Sequence, residues 1–451
     1  METRNNVGSS LFFPSVNEQL PVIVRAEGIY LYEADGRKLI DAAGGVGCVT
    51  SIGHGVEEVI RAITRQAEKV AFVPLIQFLS EPVIELCDLI ATLAPGSLNK
   101  AMLLTGGSEA TENAVKLARQ YHLERGATSK FKVISRWQGF HGMTLGAVGF
   151  GGHTGRRRKY QPMLHDSPHI PPAHRYRCRF CCHESQCNLT CTDLLEQTIK
   201  WEGPENVAAF IAEPVVGAAL GAAAAPPGYF QRVREICDAY EVVFIADEVM
   251  TGFGRTGEMF AVNHWGVVPD ILVAAKGIGG GYAPLSVLIA KEEMVARLAQ
   301  NNSNFTAVHT HTQHPVSAAA GLAVLRYILK HDLVTNARVM GERLLSGLCD
   351  LQRRCDIVGD VRGKGLLTGL ELVRDKASSE SFPLESKAAA TLTHEARMRG
   401  LAVYPGTGTA DGLVGDHVLI TPPMTIRRDQ VDDLLAILDA ALSATQTRLS
   451  H

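Results

Sequence analysis

The chain has 451 residues, a formal net charge of −3, 46% hydrophobic and 20% charged residues. These proportions exclude a disordered chain and argue against a nucleic-acid or membrane-surface protein, while the length admits two or three domains. The start, METRNNVGSSLFFPSV, lacks the basic-then-apolar pattern of an export signal, and no apolar run reaches membrane-spanning length. Ten cysteines in so long a chain make no disulfide framework, so a cytoplasmic protein is expected.

In chain order, GIYLYEADGRKLID (28–41) reads as a hairpin turning at Asp35-Gly36. GGVGCV (44–49) half-imitates a dinucleotide-binding loop. AMLLTGG (101–107), FKVISRW (131–137), VAAFIAEPV (207–215), VVFIADEV (242–249) and DILVAAKG (270–277) read as buried strands: each is short, mostly apolar and ends in turn or charged residues. Helical patterns separate them. SEATENAVKLARQYHLERG puts Ala110, Ala114, Leu117 and Tyr121 on one face with Gly126 as its stop, and YFQRVREICDAY precedes the fourth strand. Such alternation predicts an α/β fold with a mainly parallel sheet. After about residue 330, VGDVRGKGLLTGLEL and GDHVLITPPMTI are strand-like pieces of a smaller α+β unit. The expected organisation is an N-terminal segment (1–75) joining the small domain, a large domain (76–330) and the C-terminal small domain (331–451).

Open parallel sheets bind ligands at the carboxyl ends of their strands, so the residues there are the candidates. The first strand runs into Gly107 and Ser108, whose backbone N–H groups and hydroxyl suit a phosphate; an ordinary serine N-cap is the plainer reading. Phe140 and His141 follow the second strand, as a ring stacker and its neighbour or as simple packing. Glu213 ends the third and Asp247 the fourth, a carboxylate in poor solvent that needs a cationic partner. Lys276 ends the fifth, before four glycines; buried and neutral it is a nucleophile, exposed it is an unremarkable loop lysine. Together these describe a pyridoxal phosphate site.

The motifs LLTGGSEATENAVKLAR, GFHGMT, FIAEPVVG, FIADEVMTGFGRTGEMF and PDILVAAKGIGGGYAPL resemble the class III (omega) aminotransferases, pyridoxal-phosphate enzymes of fold type I, over nearly the whole chain. The resemblance implies a large domain with a mainly parallel seven-stranded sheet plus a smaller α+β domain. It also implies a homodimer, with a tetramer as the alternative, and the texture is closest to the amine–pyruvate branch. By position, Lys276 would be the Schiff-base lysine and proton shuttle, and Asp247 the partner of the pyridine nitrogen. Phe140 and Val249 would clamp the ring, Gly107 and Ser108 hold the phosphate, and His141 and Glu213 support the network. Thr310 would be a phosphate ligand supplied to the neighbouring subunit.

The departures concern substrate. Ala218 stands where some members have a second glutamate after EP; Leu419 and GLVGDH replace carboxylate-binding arginines, and Met143 replaces another. The expectation is therefore transfer from a primary amine or omega-amino donor to pyruvate or 2-oxoglutarate by a ping-pong cycle. A mobile arginine of GRRRKY (155–160) is the candidate for the missing cation. A decarboxylase or racemase of the same fold is the alternative, and a non-catalytic scaffold the rival from another class. Cys178, Cys181, Cys182, Cys187 and Cys191 with His183 offer one Cys-x-x-Cys pair, but the remaining spacings favour a thiol-rich loop over zinc, and no metal is expected.

Overall fold

The computed structural model describes residues 20–181 and 187–450; Cys182, His183 and residues 1–19 lie outside them. Its central sheet has seven strands, ordered Leu98–Leu104, Ser286–Lys291, Ile271–Ala274, Val243–Glu248, Val207–Ala212, Lys132–Arg136 and His169–Ile170. The last five in that order run parallel, and Ser286–Lys291 is antiparallel to both its neighbours. The five expected strands are all present. Ser286–Lys291 and the two-residue His169–Ile170 were not among them: the first follows a glycine-rich turn without a helix between, and the second is too short to show a pattern.

The sheet is covered on both sides, which explains why its strands read as unbroken apolar runs. Along Val243–Glu248, Phe244 and Ala246 enter one core while Val243 and Ile245 enter the other. The second core receives Ala110, Ala114, Leu117 and Ala118 from helix Gly107–Glu124, close to the face expected from the sequence. The period of two has a chemical consequence: Asp247 continues the Val243–Ile245 side and Glu248 the Phe244–Ala246 side.

Two smaller sheets flank the central one. The N-terminal strands Ile23–Glu27, Tyr30–Glu33 and Lys38–Asp41 form antiparallel pairs, and Leu401–Ala402 joins them in parallel from near the other end of the chain. Val358–Lys364, Leu367–Leu372, Asp416–Ile420 and Tyr404–Thr407 make an antiparallel sheet. Gly44–Cys48 is a tight turn wound on Asp41, whose carboxylate accepts from Gly44 N (2.9 Å) and Thr50 Oγ1 (2.8 Å). A Cβ on Gly44, at φ +58°, would stand 2.5 Å from the Thr421 carbonyl. The glycines there serve a close chain crossing.

Another crossing ties helix Leu333–Arg354 to the turn between two C-terminal strands. A Cβ on Gly341 would lie 2.3 Å from the Gly365 carbonyl carbon, and one on Gly365 2.4 Å from that of Thr256. Backbone cannot yield as a flexible side chain can. Gly341→Ala is therefore expected to cost about 1–3 kcal/mol by overpacking, seen as a thermal midpoint lower by a few degrees. An unchanged midpoint would show that helix and turn slide apart freely.

Candidate active site

The carboxyl ends of the parallel strands open on a cavity of about 300 Å³. Eight of the nine residues singled out from the sequence line it: Gly107, Ser108, Phe140, His141, Glu213, Asp247, Val249 and Lys276. The ninth, Thr310, is exposed and lies outside this lining.

Asp247 is buried at the tip of its strand, as the Val243–Ile245 side dictates. His141 Nδ1 lies 2.7 Å from Oδ2, and Val249 N donates to Oδ1 at 3.0 Å. A carboxylate has about four acceptor sites, so this pair of contacts fixes Asp247 and leaves capacity for another donor. His141 is held in turn through its backbone, whose carbonyl accepts from Thr111 Oγ1 at 2.7 Å.

Glu213 sits beside this pair. Its Oε1 accepts from Phe140 N at 3.3 Å, while its Oε2 is buried without a hydrogen-bond partner and lies 3.9 Å from Arg136 Nη2. Burial pushes the Glu213 carboxyl up to about 7, with His141 opposing and Asp247 adding to the rise. Glu248, one residue along but on the other face, has a different fate. It accepts from Ala261 N and Val262 N, both at 2.8 Å, and from Thr251. It caps the turn Ala261–Trp265 and is absent from the cavity lining.

Lys276 follows strand Ile271–Ala274 at φ +46°, in the left-handed region that a side-chain-bearing residue occupies at a cost of about 1 kcal/mol or more. Its turn is tied from afar: Ser51 Oγ donates to the Gly277 carbonyl at 2.7 Å. Burial lowers the Lys276 pKa below the ordinary lysine value, opposed by Cys48, Asp247 and Glu213.

Helix Gly107–Glu124 opens at the same cavity with no side-chain cap on its first turn. The Ser108 hydroxyl accepts from Met143 N at 3.0 Å, and a Cβ on Gly142, at φ +140°, would stand 2.5 Å from Ser108 Oγ. Free amides at a helix start, with glycines that let backbone approach, make an anion site.

The rest of the lining is mostly apolar: Val49, Met143, Val215, Ala218, Met250 and Leu285 contribute, and among the described residues no arginine does. Of the departures noted in the sequence, Ala218 and Met143 face the cavity, whereas Leu419 is buried in strand Asp416–Ile420, outside the lining. Arg136, Ser51 and Val49 were not singled out beforehand. A charged residue ending the apolar run of the second strand was the available signal for Arg136; the other two reach the site through tertiary folding of the N-terminal segment.

Cys181 Sγ lies 3.4 Å from Cys178 Sγ and 3.5 Å from Cys187 Sγ in the loop before helix Thr190–Glu202, and its thiol is pushed up to about 12 by burial and these neighbours. Among the described residues, no group of three or more His, Cys, Asp or Glu is placed to hold a metal ion. Nor is any described helix long and apolar enough to cross a membrane.

The family model for Aminotransferase class-III matches residues 13–442. An uncharacterized aminotransferase, YodT of Bacillus subtilis, is 40% identical over 98% of this chain and 99% of its own length. The putrescine–pyruvate aminotransferase of Pseudomonas aeruginosa is 34% identical over 94% of this chain and 91% of its own. Among solved structures, an (S)-enantioselective omega-transaminase from Thermomicrobium roseum superposes with a TM-score of 0.90 at 36% identity, covering 98% of this chain and 97% of that one.

The raised Glu213 carboxyl has a testable sign. Folding favours its neutral form, so the associated stability is full below the unfolded value near 4.5 and is lost as pH rises towards about 7. Between those values the native state holds more protons than the unfolded one, and unfolding free energy falls with rising pH. Glu213→Gln should flatten the stability profile of the cofactor-free protein between pH 5 and 8, by roughly 3 kcal/mol at most. Denaturant titrations at each pH check it; parallel profiles would place the titration elsewhere.

Proposed function

This chain belongs to the class III aminotransferases, which use pyridoxal phosphate, and from that premise we propose that it moves an amino group from a primary amine lacking an adjacent carboxylate to a 2-oxo acid, pyruvate or 2-oxoglutarate. One observation carries the donor part: the cavity lining is mostly apolar and, among the described residues, includes no arginine. A donor carboxylate placed there would forfeit a charge-assisted pair worth about 1.5–3 kcal/mol, a penalty that an amine with a neutral body escapes. That a relative at 34% identity acts on putrescine and pyruvate agrees with this reading.

The residues present fit the cofactor. The uncapped amides at Gly107 and Ser108 suit its phosphate, and Asp247, anchored by His141, suits a protonated ring nitrogen. Phe140 and Val249 supply apolar surface for the ring. When bound, pyridoxal phosphate supplies the carbonyl that accepts nitrogen and the ring that withdraws electrons from the donor carbon.

The chain's own contribution is positioning and proton transfer. Lys276 Nζ, held below the ordinary lysine range by burial, takes the proton from the donor carbon and returns one to the acceptor carbon in the second half of a ping-pong cycle. Asp247 keeps a positive charge in place while negative charge develops, and His141 keeps Asp247 in place. Glu213, bound to Phe140 N, fixes the strand-end loop that carries the aromatic ring. In this reading the working unit is a homodimer, in which Thr310, exposed and outside the lining of its own chain's cavity, serves the neighbouring site.

Asp247→Asn should retain weak cofactor binding yet slow turnover by about 100-fold or more, the usual result of removing one preorganised partner of a developing charge. Steady-state rates check it, and near-normal turnover would make Asp247 a structural acid. The donor assignment is tested by comparing alkyl and arylalkyl amines with glutamate, ornithine and 4-aminobutyrate, using pyruvate and 2-oxoglutarate as acceptors. A clear preference for any of the three amino acids would overturn it.

A further inference from the structure

We propose that Arg156 is the group that receives the carboxylate of the 2-oxo acid acceptor, an inference that rests on the transaminase reading above. The reaction needs no other reagent: amine plus 2-oxo acid gives a carbonyl compound plus a 2-amino acid. The acceptor nevertheless brings a carboxylate into a cavity where, among the described residues, the only lysine of the lining is occupied by the chemistry and no arginine is present.

Arg156 stands beside that lining. Its Cζ lies 4.5 Å from the centroid of the Phe140 ring, and Phe140 lines the cavity. The guanidinium is near enough for its charge to oppose the Lys276 ammonium. His153 meets the same ring edge-on, with centroids 6.3 Å apart. Stacking over an aromatic ring engages the guanidinium face and leaves its N–H groups, which point out along the edge, free for a carboxylate. No ion pair engages Arg156 among the described residues, although it is half-buried. A half-buried cation without a protein carboxylate has capacity for one from elsewhere.

The two sites are neighbours. Arg156 lines a second cavity of about 370 Å³, together with His153, Tyr404 and Ala218. Ala218 also lines the first cavity, so the two spaces share a small residue. In the proposed pose a carboxylate reaches past Ala218 to the guanidinium, while an amine with an apolar body has no reason to go there. Arg158, two residues along and exposed, serves as a control for long-range charge.

The test uses the cofactor-loaded enzyme, first converted to its amine-bearing form and then mixed rapidly with pyruvate or with propanal, an uncharged carbonyl. The absorbance of the bound cofactor is followed. Arg156→Gln should raise the half-saturating pyruvate concentration at least 10-fold, change propanal less than 3-fold, and slow the amine half-reaction far less than the pyruvate one. Arg156→Lys should fall between the two, and Arg158→Gln should shift pyruvate less than 2-fold. Calorimetry with an unreactive carboxylate, 2-methylpropanoate, should show the same loss in Arg156→Gln, with 2-methylpropanamide unaffected. Half-saturation by pyruvate within 2-fold of wild type, or equal weakening of pyruvate and propanal, would overturn the assignment. If wild type instead prefers amino-acid donors while Arg156→Gln still loses pyruvate selectively, the donor reading falls and the Arg156 assignment stands.

Discussion

A carboxylate at the end of a buried strand has to be held, and the contact between His141 and Asp247 is where this molecule meets that demand. Placing an ionised acid in an apolar interior without partners costs several kcal/mol, so the strand Val243–Glu248 would be a liability without it. The contact also joins two strand ends across the sheet. His141 belongs to the loop after Lys132–Arg136, and Asp247 is two strands away, with Val207–Ala212 and its own Glu213 between. Three acidic or imidazole groups from three strand ends converge on the one cavity.

Strand periodicity explains the division of labour between two adjacent acids. Asp247 and Glu248 point to opposite sides of the sheet, so one enters the cavity and the other is surrounded by backbone donors of the turn at 261–265. The sequence singled out Asp247 at the tip of its strand and assigned Glu248 no role. The register, fixed by which of Phe244 and Ile245 meets which core, gives the physical reason that one acid faces the cavity and the other the turn.

The fold was legible where a physical rule acts locally. Unbroken apolar runs marked strands buried on both faces, and helix Gly107–Glu124 was visible from four positions on one stripe. The rule that open sheets use their carboxyl ends then brought Gly107, Phe140, Glu213, Asp247 and Lys276 to one cavity before any distance was known. What was illegible depends on distant chain crossings. Ser51 bonding to Gly277, 226 residues away, leaves no trace in local pattern, and neither does Val49 in the cavity wall. Ser286–Lys291 was missed because it enters the sheet antiparallel without the helix that announces the others. Leu419 shows the reverse failure: a position compared with relatives for its side chain is buried within a strand here and cannot speak for the cavity.

The absence of arginine from the wall and its presence behind Phe140 belong to one problem. The same cavity must take, in alternate halves of the cycle, a donor with no carboxylate and an acceptor that has one. An arginine fixed in the wall would suit the acceptor, but in the donor half it would face apolar substrate as a buried, unpaired cation, at about 3–5 kcal/mol. A guanidinium resting on an aromatic ring beside the cavity avoids that state. Its Cζ lies over the Phe140 ring and the residue lines a second cavity. The charge then borders a cavity that shares Ala218 with the first, and only a substrate with an anion to place there calls on it.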